Sequence, residues 1–380
     1  VLFGPAAITY LVTALGVGAA NPGEPPPGGK PPPGTGGRTV VYISAAGEKR
    51  IAVYHLDRAT GKLTHHSDAK LDGEPGALVA DPGRHYLFAA LRAEGKLAAF
   101  RIDAGTGALT HVNTVAAGPD PAHVSTDAAG RFLLTAYYVD AKVTVHAIGK
   151  DGALGEKPLQ SIATADKAHA IVPDPSGRFV FVPHTGPDAI FQFHFDAKTG
   201  RLSANEPARL TTPKGTGPRH LVFHPKLSVA YVANEQGGSV TAYALDGKAG
   251  TLRSLQTVST LPKDFAGTNA CAEIRVHPSG KFHFVSNRGH DSIAVFALDA
   301  EGKLSAVGQE PTEKTPRSFD VDPSGKYLLA AGEASGRLAA YAVDGITGRL
   351  KRLAVYESGK NLWWVLIVDL PAAGAGSPMP

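Results

Sequence analysis

The chain has 380 residues, of which 43% are apolar and 19% charged, with a formal net charge of +4 at neutral pH. Such a composition belongs to a folded globular protein and excludes a disordered or fibrous one. Lys and Arg alternate with Asp and Glu without forming a long basic block, which argues against a nucleic-acid partner, and a single cysteine, Cys271, rules out an internal disulfide or a multi-cysteine metal site.

Residues 1–20, VLFGPAAITYLVTALGVGAA, carry no charge and end in small residues. They resemble the apolar segment and cleavage region of an export signal, with an uncleaved membrane anchor as the alternative. A processed signal implies a periplasmic or secreted protein without stable membrane insertion; without one, the location is cytoplasmic. Residues 21–37, NPGEPPPGGKPPPGTGG, form a Pro/Gly-rich linker that cannot bury enough apolar surface to fold. A folded domain is expected over residues 38–371, followed by a flexible tail at 372–380.

Within that domain one pattern recurs. A short apolar strand leads into an Asp-Pro-Ser-Gly type of turn, two alternating strands separated by a polar loop, and a Thr-Gly turn. DPGRHYLFAALRAEGKLAAFRID, DPSGRFVFVPHTGPDAIFQFHFD and DPSGKYLLAAGEASGRLAAYAVD show it most clearly. The turns open at Asp81, Asp127, Asp174, His224, His277 and Asp322, at intervals of 45 to 53 residues, and TVVYISAAGEKRIAVYHLD begins the series without a leading turn. Seven repeats of about four strands, with period-2 alternation such as Ile293-Ala294-Val295-Phe296, predict an all-β, seven-bladed β-propeller. The first repeat lacks a strand, and LWWVLIVDL at 362–370 is a strand without a repeat, so the C-terminal strand is expected to close the first blade and hide both sheet edges.

In a propeller the innermost strands begin at one mouth of the central channel. Here those beginnings carry Ala77, His123, His169, Arg219-His220, Glu273, Arg317-Ser318 and Trp364. Loops after the next strand add His184, Asn234-Glu235 and Asn287-Arg288 near the same mouth. The result pairs candidate bases with guanidinium groups suited to a carboxylate or phosphate, so the expected partner is an anionic small molecule bound by a monomer. Three histidines and a glutamate could bind a metal, but neighbouring arginines repel a divalent ion, and no metal or other cofactor is expected. His224 and His277 are read as turn residues, His65 and His66 as solvated, and Trp363 and Trp364 as packing for the closing blade.

The stretches GPRHLVFHP, NACAEIRVHPSG and SNRGHDSIAVF, with the ending YESGKNLWWV, resemble the lactonase family of seven-bladed propellers across residues 39–370. That resemblance implies a lactone-opening or lactone-forming site built from His169, Arg219, Glu235 and Arg288, with His220, Glu273 and Asn287 around it. His123, His184 and Arg317 join the expected substrate-binding set. The implied function is hydrolysis of a sugar lactone of the 6-phosphogluconolactone kind. His169 would act as base, with Glu235 orienting it or serving as the alternative base, while Arg219 and Arg288 hold the oxyanion and the substrate's anionic group. Cycloisomerisation of a muconate-type dicarboxylate is the alternative, and a non-catalytic ligand-binding propeller is the reading from a different class. Ala136 before Tyr137 and Gly332-Glu333 stand where family members often carry asparagine, and the turn at 225–228, PKLS, lacks its glycine. These departures bear on the rim of the pocket more than its centre.

Overall fold

Alternating apolar residues punctuated by tight turns give seven sheets of four antiparallel strands in the computed structural model, which describes Val1 and residues 37–371. The readings of residues 1–20, 21–36 and 372–380 lie outside the described residues. In six blades the chain runs from the innermost strand outward, as in Pro218–Phe223, Val229–Asn234, Ser239–Asp246 and Thr251–Ser259 of blade five. Innermost strands of successive blades pack together, except that blade four meets the innermost strand of blade five through its second strand, Phe179–His184, and the last blade meets the first. The fold is a seven-bladed β-propeller.

Blade one closes the ring as its sequence requires. Leu362–Asp369 forms its innermost strand and pairs antiparallel with Thr39–Ala45, with Tyr42 opposite Leu366 and Ser44 opposite Trp364. No inner edge is left at the junction of first and last repeats, which removes a template for pairing with another chain.

The Asp-Pro-Ser-Gly turns hold their shape through the aspartate. Asp174 accepts the backbone N–H groups of Arg178 (3.0 Å) and Phe179 (2.8 Å), and Asp322 does the same for Tyr327 (2.7 Å). His224 and His277 replace it with an imidazole. Nδ1 of His224 accepts from the N–H of Lys226 and Leu227, so Nε2 carries the proton and donates to the Gly280 carbonyl in the next blade's turn at 2.9 Å. His277 repeats the arrangement on Ser279 and Gly325. Both are turn residues that also tie one blade to the next.

Apolar side chains fill the wedges between blades; Phe181, Ile190, Val232 and Tyr243 lie between blades four and five. The glycine turns between the third and fourth strands help seal these wedges. Gly250 has φ of +69°, and a Cβ there would stand 2.0 Å from Cδ1 of Phe179 in the preceding blade. Gly250→Ala therefore adds backbone strain to a steric clash, and is expected to destabilise the protein by about 2 kcal/mol or more. A lower urea midpoint at unchanged slope is the measurement.

Candidate active site

Six of the seven innermost strands share one irregularity, all but that of blade four, and it makes most of the pocket. Register shifts at their first turns separate Pro75 from Leu78, Pro121 from His123, Pro218 from Leu221, Cys271 from Ile274 and Pro316 from Ser318. The closing strand has another between Leu362 and Trp364. A bulge leaves extra residues unpaired and re-aims their side chains. The residues caught in these bulges are Gly76-Ala77, Ala122, Arg219-His220, Ala272-Glu273, Arg317 and Trp363, and most of them line one pocket on the propeller axis. Small residues of blades two and three leave the space, while His169, Arg219, His220, Arg317 and the Trp363-Trp364 pair furnish its chemistry.

A second ring of positions borders the same mouth. The residue following each second strand is Arg92, Tyr138, Thr185, Glu235 or Glu333 in blades two to five and seven, and in blade six Arg288 ends that strand. Along a strand, alternate residues face opposite sides. In blades four to six, His184, Asn234 and Asn287 accordingly turn into their own blades, whereas Glu235 and Arg288 reach toward the axis.

Arg219 is 2% exposed, and Nη1 donates to the Ala272 carbonyl at 2.6 Å. Glu235 bridges it to Arg288, with Oε2 3.2 Å from Arg219 Nε and Oε1 3.1 Å from Arg288 Nη2. The Arg219 contact is ionic without being a hydrogen bond, and Nη2 makes no hydrogen bond to a described residue, so donor capacity is left for a ligand. Burial raises the Glu235 carboxyl, but Arg219 and Arg288 outweigh it and hold the pKa below the usual range. Burial, reinforced by Arg288, lowers Arg219 to about 9 against the pull of Glu235. The group stays protonated at neutral pH as a poorly compensated cation.

His220 lies beside it. Nδ1 donates to Oε1 of the fully buried Glu273 at 3.0 Å, so the lone pair is on Nε2, which accepts from Arg219 Nη1 at 3.3 Å. Glu273 also receives Arg275, whose Nε holds Asp320 at 2.8 Å. Burial would raise Glu273, yet Arg275 and His220 keep it well below the carboxylate range. Burial and then Arg219 lower His220 to about 4, with Glu273 opposing, so the imidazole is neutral. His169 packs edge-on against His220 with ring centres 5.1 Å apart, and burial followed by Arg219 places its pKa well below the ordinary value. Its Nδ1 is buried without a partner among the described residues.

Of the residues expected from the sequence, His169, Arg219, His220 and Arg317 line the pocket, and Glu235 and Arg288 stand directly against Arg219. His123 reaches the cluster by ring contacts to His220 (5.6 Å) and Trp364 (5.7 Å). Glu273 acts through His220. Two residues are not brought to the pocket. His184 is fully buried, with Nδ1 bonded to the Val182 carbonyl and Nε2 to Thr164 Oγ1. Asn287 is likewise buried, its amide spent on Thr260, Asn269 and Ser292, so both tie their blades to the chain arriving from the preceding one.

Sequence reasoning missed Arg92, Arg275 and the part played by the tryptophans. Trp363 and Trp364 do close blade one, but they also form a wall of the pocket. Arg92 occupies in blade two the position that Glu235 holds in blade five, and lining up the second-strand ends would have found it.

Comparisons with known proteins agree with this geometry. A family model described as a lactonase, 7-bladed beta-propeller, matches residues 39–367. The chain is 36% identical over 331 residues to the 6-phosphogluconolactonase of Pectobacterium carotovorum subsp. carotovorum, covering 87% of this chain and 85% of that protein. It is 35% identical over 331 residues to the 6-phosphogluconolactonase of Klebsiella pneumoniae, covering 87% and 99%. The solved structure of the Pseudomonas aeruginosa periplasmic gluconolactonase matches with a TM-score of 0.80 at 28% identity, over 88% of this chain and 99% of that one. With the blades, their closure and the axial pocket already in place, the conclusion is that this chain belongs to the lactonase family of seven-bladed β-propellers.

Proposed function

We propose that the protein is a lactonase, a carboxylic ester hydrolase that opens a sugar lactone of the 6-phosphogluconolactone type. The observation that carries this is the meeting, in one axial pocket, of a neutral imidazole oriented by a buried carboxylate and a guanidinium with unused donors. Lactone hydrolysis needs both: a base for water and positive charge where the carbonyl oxygen becomes an oxyanion. His220 Nε2 exchanges its long contact with Arg219 Nη1 for a water and takes a proton from it, and the water oxygen attacks the carbonyl carbon. Arg219 stabilises the oxyanion, and the tetrahedral intermediate collapses with cleavage of the ring C–O bond as the imidazolium returns the proton to the leaving oxygen. His169, the base expected from the sequence, lines the same pocket, but nothing fixes the tautomer at its buried Nδ1, so the oriented imidazole is His220.

The pH profile and two substitutions test this assignment. With His220 lowered to about 4, the base stays unprotonated through neutral pH, so kcat/KM is expected to be flat from about pH 8 to 6, and a fall toward pH 5 is assigned to His220 only where the urea midpoint shows the enzyme still folded. His220→Ala should lower kcat by about a hundredfold or more, and Glu273→Gln should displace the acid limb of the profile. A profile with its midpoint at the ordinary histidine value, unmoved in Glu273→Gln, would sink the assignment. Muconate consumption, followed by absorbance, is the parallel assay for cycloisomerisation.

Export is part of the same proposal. The uncharged run at residues 1–20 supports it, as does similarity to a solved gluconolactonase described as periplasmic. Cell fractionation with sequencing of the mature N-terminus tests it, and recovery of uncleaved chain from the cytosol would overturn it.

A further inference from the structure

The pocket has a second basic end that lactone opening does not use. Its inner part and an open groove beyond it, bordered by Pro119 and Asp120, share Arg92, Arg317 and Trp363 as their common boundary. Both guanidinium carbons lie over the Trp363 ring, that of Arg317 at 4.9 Å and that of Arg92 at 5.6 Å, which fixes two flexible side chains by cation–π attraction. Each is also anchored by a carboxylate, Arg92 through Nε to Asp120 and Arg317 through Nη1 to Glu333 at 3.4 Å.

Those anchors leave donors free on both side chains. Both terminal amino groups of Arg92, and the Nε–Nη2 edge of Arg317, have no acceptor among the described residues. Around the mouth the four guanidiniums of Arg92, Arg219, Arg288 and Arg317 meet three carboxylates, Asp120, Glu235 and Glu333. Burial pushes the Arg317 pKa down, and Glu333 does not make up for it while Arg288 and Arg92 add repulsion. Two planar forks held in place with unspent donors match a tetrahedral, multiply charged oxyanion far better than they match a neutral hydroxymethyl group.

We propose that Arg92 and Arg317, fixed over Trp363, recognise a terminal phosphate ester on the lactone, while the carbonyl is opened at the Arg219–His220 end. The identity of the lactone rests on the function proposed above; the anion subsite is argued from the geometry of Arg92 and Arg317 alone. Trp363 is then a platform for the two cations and not for the sugar ring.

Selectivity is the readout. The kcat/KM for 6-phosphogluconolactone and for unphosphorylated gluconolactone is measured on wild type, Arg92→Ala, Arg317→Ala and Arg92→Lys. Wild type is expected to prefer the phosphorylated lactone, and each alanine variant to reduce that preference by about ten- to a hundredfold, with Arg92→Lys keeping part of it. A wild type without preference, or a preference unchanged in both alanine variants, overturns the proposal. Calorimetric titration with 6-phosphogluconate and gluconate runs in parallel. If wild type opens no lactone, the lactonase reading fails by itself, and the titration still decides: tighter 6-phosphogluconate binding that depends on Arg92 upholds the subsite, and equal or Arg92-independent binding refutes it.

Discussion

Arg219→Ala is expected to lower kcat for lactone hydrolysis by about a hundred- to a thousandfold, the loss typical of removing one oxyanion donor. Arg219 is the most buried cation facing the pocket, and the preceding proline and the bulge hold it in place from both sides. Because it is shielded from water, its charge acts on the developing oxyanion with little screening. Arg219→Lys keeps the charge but loses the planar fork, so it should recover only part of the rate. The alanine variant also leaves the Ala272 carbonyl and one oxygen of Glu235 without their partner, at about 1–3 kcal/mol, so its melting curve has to be read beside its kinetics. A folded Arg219→Ala protein turning over within a few-fold of wild type would show that the oxyanion forms elsewhere.

Acid should unfold this protein well before its carboxylates protonate. His146, His184, His220 and His283 are buried, and burial, first among the causes, lowers them to about 4, 4, 4 and 3; His169 shifts in the same direction. A histidine held neutral in the folded state binds its proton only on unfolding, so its stabilising contribution is complete above about pH 6.5 and is lost as pH falls toward 4. At pH 5 each such histidine costs about 2 kcal/mol relative to neutral pH, against a total stability on the order of 5–15 kcal/mol. The lowered carboxylates, Glu235 and Glu273 among them, add their loss only below about pH 4, so the two effects separate. Urea midpoints measured at pH 7, 6 and 5 should fall steeply; a constant midpoint over that range would refute the account. His283, ringed by Tyr231 and Phe296 with neither nitrogen bonded to a described residue, is the position where a phenylalanine should flatten the dependence.

Most of the architecture was legible because it repeats. Turn spacing, strand alternation and the unmatched segment at 362–370 were enough to count blades and predict the closure. The imidazole turns at His224 and His277 were readable for the same reason, although their bonds to Gly280 and Gly325 in the next blade were not. The convergence of His169, Arg219, His220 and Arg317 followed from where innermost strands begin. What stayed hidden depends on single-residue geometry. A bulge shifts register by one position and leaves no mark in composition, yet it decides that Arg219 and His220 both border the pocket. The same period of two separates Asn287, locked into its blade, from Arg288 beside it, and a motif containing both cannot say which one meets substrate. Arg92 was passed over because LRAEGK resembles a solvated loop until it is set against the other second-strand ends.

Trp363 and Trp364 belong to the strand that completes blade one, yet they wall a pocket whose other residues come from blades two to five and seven. Assembly and catalysis are thereby linked through a single late event: a nascent chain can stack six sheets and still present no finished cavity. Deleting residues 362–370 should silence turnover even where most of the β-structure survives, which would let enzymatic assay serve as a gauge of whether the circle has been fastened.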